Sequence, residues 1–144
     1  MATRTEEIPR HRILREVFRH YLTFRELVTS PEHDGQGGFN TSDGVITHGY
    51  WVQPEDDDGN PVGERKKVII SISFWDLQGA LAKLAKRKRE AVFYNVILDK
   101  KQKDVAEIME ITTVSVGQYV EQAMIQLSKK YFADELDAAV EEEV

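Results

Sequence analysis

Between Ile13 and Val28 apolar side chains recur at steps of three and four: Ile13, Leu14, Val17, Phe18, Tyr21, Leu22, Phe24, Leu27 and Val28. That period puts them on one face of a helix, predicted over Arg10–Val28. Ser30-Pro31 and the Gly35–Gly38 stretch end it, because Pro disfavours helical backbone in the residue before it and Gly raises the entropic cost of order. Two β-prone runs follow, Val45, Ile46, Tyr50, Trp51 and Val52, then Val68–Ser73, joined through the acidic Glu55–Pro61 segment. They predict a hairpin. From Phe74 the period turns helical again, with Leu77, Ala80, Leu81 and Leu84 on one face, the charged block Lys86–Glu90, and then Val92, Phe93, Val96 and Ile97. Asp99-Lys100-Lys101 interrupts the pattern, Asp104–Met109 resumes it, and Thr112 can cap a last helix that carries Val116, Tyr119, Val120, Ala123 and Leu127 to about Phe132. Beyond Ala133 the chain is acidic and thins in apolar content, so its end is expected to fray.

The elements predict a mainly α protein, α+β overall, in three stretches: an N-terminal helix and β-hairpin over 1–76, a helical module over 77–132 and an acidic tail over 133–144. With 41% hydrophobic and 31% charged residues in 144, the chain has the means to build a core and falls outside the depleted composition of disordered chains. The absence of cysteine excludes disulfides and thiolate metal sites. Neither a leader-like apolar run nor a stretch near the ~20 apolar residues of a membrane span is present, which points to the cytoplasm and away from membranes.

A net charge of -6 argues at first against nucleic acid. Its distribution reverses that argument. Residues 77–132 carry ten Lys and Arg against six Asp and Glu, whereas residues 1–76 carry nine against thirteen and the tail none against six. The one basic stretch also holds the informative pattern, Gln102 to Ala123. A helix-turn-helix needs a small residue where its helices cross, and Ala106 fits; it needs apolar pins, which Val105, Met109, Ile111, Val116 and Val120 supply; it needs a hydroxyl to cap the second helix, and Thr112 serves. Such a motif carries the first turns of its second helix into the major groove.

On these residues the chain resembles region four of the bacterial sigma factors, over Leu77 to about Tyr131. Leu84-Ala85-Lys86-Arg87-Lys88-Arg89-Glu90-Ala91-Val92 is similar to the family's leucine, basic run and Arg-Glu-x-Val signature, Asp104–Met109 to its Glu-Ile-Ala-x-x-Leu helix, and Ser115-Val116 through Ala123 and Leu127 to its second helix. The resemblance implies that Thr113, Val114 and Gln118 face bases while Arg89, Ser115 and Gln122 lie near phosphates. Because no Lys or Arg stands between Thr112 and Leu127, salt-dependent affinity has to come from Lys86–Arg89 and Lys100–Lys103, with Lys86, Lys101 and Lys103 as candidate phosphate contacts. The turn position that the family gives to Gly is Glu110 here, which takes the needed backbone only at some cost. Residues 1–76 do not resemble region two.

Rival chemistry is thinly represented. No Gly-rich phosphate loop, nucleophile elbow or pair of catalytic carboxylates is evident, so a binding protein rather than an enzyme is expected, with no cofactor and no metal. His11, His20, His33 and His48 are scattered without metal spacing. Asp56-Asp57-Asp58-Gly59-Asn60 lacks the terminal Glu of a calcium loop and reads as a turn. Tyr50-Trp51 reads as a small core of the hairpin, and the helical pair at 102–123 also has a plain bundle as its alternative. The expected partner is double-stranded DNA in transcription control, with RNA polymerase as a second contact. The alternative is a phage small terminase subunit, a homo-oligomer that binds viral DNA for packaging beside a large terminase.

Overall fold

A computed structural model describes residues 8–29, 44–56, 58 and 60–141. The predicted helix end at Ser30-Pro31, the Gly35–Gly38 stretch and His33 lie outside the described residues. Helix α1 (Arg10–Arg19) starts after Pro9, whose carbonyl accepts from the Arg12 N–H at 3.0 Å. It buries Ile13, Leu14, Val17 and Phe18. The sequence predicted one helix to Val28, but the structure breaks it at His20 and restarts as α2 (Tyr21–Thr29). His20 leaves helical geometry, at φ -99 and ψ 11, and its N–H closes a tight turn on Val17 at 3.0 Å. The break re-aims Tyr21 and Phe24 into the core and leaves Leu22 exposed. Its outer side is held by rings: His20 lies 5.4 Å from His48 and 5.5 Å from Tyr50, centre to centre.

Strands β1 (Val45–Val52) and β2 (Lys66–Ser73) form the antiparallel hairpin, from Val45 opposite Ser73 to Val52 opposite Lys66. Alternation sends Ile46, Tyr50, Val52, Val68, Ile70 and Ile72 inward. The same alternation corrects the Tyr50-Trp51 expectation. Tyr50 is buried, while Trp51 faces outward with the Arg65 guanidinium 5.6 Å from its ring centre. In the acidic turn Glu55 bridges Pro61, and the Asp56 carboxylate accepts from the amides of Asp58 and Asn60, both at 2.9 Å. Gly44, at φ +75, precedes β1; a Cβ there would run into the Trp75 indole at Nε1, so both the backbone and the packing require glycine.

Strand β2 runs directly into α3 (Phe74–Lys83), capped by Ser73, and α4 (Lys86–Val92) continues into a π turn over Phe93–Ile97. Val92, Val96 and Ile97 enter the core as their period predicts, but Phe93 is partly exposed. Asp99, at φ 55, turns the chain into α5 (Gln102–Met109), which is followed by α6 (Thr113–Lys130) and α7 (Ala133–Asp137). The described part of the acidic tail does not fray. Phe132 and Leu136 are fully buried, and Val140–Glu141 form a short strand β3 against Val68 and Ile69 of β2. Arg10 pairs with Asp137 at 3.5 Å and Lys66 with Glu141 at 3.6 Å. Asp134, Asp137 and Glu141 are exposed, while Leu136 supplies the anchor.

One hydrophobic cluster runs from Ile8 to Leu136, so residues of 1–76, 77–132 and 133–144 all contribute to it. Helix α1 packs on β1, α6 and α7, and α7 also touches β2. Truncating Leu136 to Ala should therefore cost about 2–5 kcal/mol by chemical denaturation, as for other fully buried leucines. Deleting the residues after Ala133 should lower stability at least as much. A deletion that unfolds at the same denaturant concentration as the full chain would refute this placement of the tail.

Candidate nucleic-acid interface

The turn between α5 and α6 shows how the local sequence makes the motif. Glu110 adopts the left-handed backbone, φ 58 and ψ 45, at the end of α5. Its N–H reaches the Glu107 carbonyl at 3.4 Å, and the Ile111 N–H reaches the Ala106 carbonyl at 3.0 Å, the paired bonds that close a helix through one left-handed residue. Thr112 then starts α6: its Oγ1 accepts from the Ser115 N–H at 3.1 Å and donates to Ser115 Oγ at 2.8 Å. Val105, Ala106 and Met109 of α5 and Val116 and Val120 of α6 are buried. Ile111 is half-buried against the same core.

The opposite side of α6 stays open. Thr113, Val114, Gln118, Glu121 and Gln122 are exposed. Val114 keeps 69% of its surface, which is an unusual position for an aliphatic side chain at the start of a helix. Val114, Gln118 and Gln122, four residues apart, make one stripe. Lys100, Lys101 and Lys103 stand exposed at the start of α5, and Lys86 at the start of α4.

The rest of the basic block has partners inside the protein. Arg87 Nη1 donates to the Met109 carbonyl at 3.1 Å, closing the end of α5. Lys88 Nζ donates to Gln126 Oε1 on α6 at 3.3 Å. Arg89, placed near phosphate by the resemblance, donates from Nη1 to the carbonyls of Ala82 and Leu84 at 3.3 and 3.2 Å, where α3 ends. Ser115 is half-buried and tied into the Thr112 cap. The block is thus largely a set of clasps among α3, α4, α5 and α6, with Lys86 and Arg87 exposed at its start.

Sequence reasoning missed a second helix beside the stripe. His11, Arg12 and Arg15 of α1 line a cleft of about 300 Å³ whose other wall includes Gln102, Gln118 and Glu121. Burial lowers the pKa of His11 from its ordinary value, helped by the Arg12 charge beside it and opposed by Glu121. Burial also lowers the pKa of Arg15, with Arg19 and Arg12 adding to the effect, although a guanidinium stays charged throughout the ordinary pH range. Steps of three and four along Arg12, Arg15 and Arg19 were visible in the sequence as a cationic stripe, but only packing shows that it borders α6.

Among the described residues no group of His, Asp and Glu gathers in a way that would hold a metal ion, and no helix is long and apolar enough to cross a membrane.

Residues 74–127 match the family model of sigma-70, region 4. The match covers α3 through most of α6, so this segment is a helix-turn-helix of the sigma region-four type, as its motifs implied. Helix α3 begins at the first matched residue. No curated protein and no solved structure matches the chain.

Glu110 offers a direct test of the turn. Glu110→Gly should stabilise the protein by about 0.5–1 kcal/mol, because glycine enters the left-handed region without the Cβ penalty and α5 has already ended there. Thr112→Ala should cost about 1 kcal/mol by removing the α6 cap. Thermal or denaturant melting reads both, and a destabilising Glu110→Gly would show the turn to be misassigned.

Proposed function

We propose that the chain binds duplex DNA in transcription control, with α6 as its recognition helix and RNA polymerase as a second partner. The observation that carries this reading is the match to sigma-70 region 4 over the residues that fold as a helix-turn-helix, with one face of α6 left open. In this reading Thr113, Val114 and Gln118 meet base edges: the amide of Gln118 can donate and accept at once, and Val114 offers an apolar contact for a thymine methyl. Gln122 and Ser115 lie toward the sugar–phosphate backbone, with Lys86, Lys101 and Lys103 supplying cations around them, while Arg89, engaged with the carbonyls at the end of α3, serves to hold α4 in place rather than to meet phosphate. An acidic protein is suited to this task only if some of its exposed cations stand near the docking face.

Binding should weaken steeply with salt. With roughly three to five phosphates contacted, the slope of log affinity against log salt should be about -3 to -4, and a slope near zero would sink the proposal. Two substitutions separate reading from folding. Gln118→Ala should remove about 1–3 kcal/mol of discrimination at one base pair while melting like the parent. Ala106→Leu should force volume into the α5–α6 crossing and cost about 1–3 kcal/mol of stability, weakening binding to all sequences alike. Both are measured by melting beside titration with a selected and a scrambled duplex. Early melting of Gln118→Ala, or an unchanged preference between the two duplexes, would remove α6 as the reading helix.

A further inference from the structure

Among the described residues, three of the four arginines of α1 already have a carboxylate: Arg10 pairs with Asp137, Arg12 with Glu55 at 2.5 Å and Arg19 with Glu16 at 3.3 Å. Arg15 has none. It is half-buried, and its Nε is enclosed without a hydrogen-bond partner. A guanidinium held partly out of water with no carboxylate beside it is costly, and although the enclosed Nε is out of reach, an anion meeting the rest of the guanidinium relieves part of that cost. Arg12 and Arg15 together line both the cleft facing α6 and a second hollow of about 210 Å³ on the hairpin side, bordered by Gln53 and Glu55. The two arginines therefore form a ridge between two open hollows.

We propose that α1 is a second DNA-contacting helix, in which Arg15 grips a phosphate of the strand bordering the groove that α6 enters. This rests on the proposed DNA binding and extends it to residues outside the matched segment. Gln118 lines the same cleft as Arg15, so a duplex lying against the Val114–Gln118–Gln122 stripe brings its backbone to the α1 side. The planar fork of arginine suits a phosphate through paired N–H bonds, and burial strengthens them. Glu121, on the α6 wall of the cleft, opposes the approach and keeps the site weak for free anions. A phosphate contact of this kind carries no base preference; it fixes where α6 sits along the duplex.

The test uses the full chain and the selected and scrambled duplexes, titrated from 50 to 200 mM salt, values that span roughly the range over which phosphate contacts are resolved. Arg15→Gln should weaken binding to both duplexes roughly tenfold and make the salt slope shallower by about 0.9, one phosphate's worth, without changing the preference between them. Arg15→Lys should fall between the two, keeping the charge but losing the fork. Glu121→Gln should tighten binding to both duplexes. Wild-type affinity and slope retained in Arg15→Gln would overturn the inference while leaving α6 as reader. Absence of salt-dependent binding by the parent chain would instead sink the DNA-binding proposal itself. If Arg15→Gln melts early, the other two variants decide: parental affinity in both overturns the inference, and tighter binding by Glu121→Gln with weaker binding by Arg15→Lys sustains it.

Discussion

The buried stripe of α6, formed by Val116, Val120, Ala123, Met124 and Leu127, is the constraint on which the remaining helices depend. At 18 residues the helix is about 27 Å long, too long for its short partner α5 to cover alone. Helices α1, α4, α5 and α7 all pack against it. What stays uncovered is set by subtraction. The open face at Val114, Gln118 and Gln122 is the side that no element covers, with α1 only bordering it across the cleft.

A second consequence concerns charge. In an acidic protein, cations that look like a ligand-binding run can serve instead as clasps between helix ends. Arg87 and Arg89 donate to main-chain carbonyls at the ends of α5 and α3, where the unpaired carbonyls and the negative end of the helix dipole favour a positive group. Such bonds fix the angles at which α3, α4, α5 and α6 meet. The outward cations, Lys86, Lys100, Lys101 and Lys103, stand at helix starts and have exposed side chains.

Much of the fold was legible because its signals are local. The alternation of β1 and β2, the small Ala106 at the helix crossing and the Thr112 cap each act within a few residues, and each leads to the expected element. The misread features depend on distance. Apolar spacing is nearly the same on both sides of His20, so the break between α1 and α2 becomes visible only when His48 and Tyr50 are brought beside it. The buried anchor and strand of residues 133–141 were hidden because the tail's six carboxylates outweigh Leu136 in any composition window, and because the strand pairs with residues some seventy positions earlier; the tail's end, where fraying is expected, lies outside the described residues. The partners of Arg87 and Lys88 lie 22 and 38 residues away, and the cleft that places α1 beside α6 spans about a hundred. Pattern names an element, but it does not say which other element will lie across from it.

The clasp between the two ends of the described chain bears on how the helix-turn-helix could be handled. With α1 and α7 packed on α6, and β3 completing the sheet, the segment matched to region 4 shares its interior with sequence on both sides. Cut out at 74 and 127, it would lose the cover over Met124 and Leu127 and present an apolar surface to water. The module is therefore not portable. Work on the matched segment means keeping α1, α7 and β3 with it.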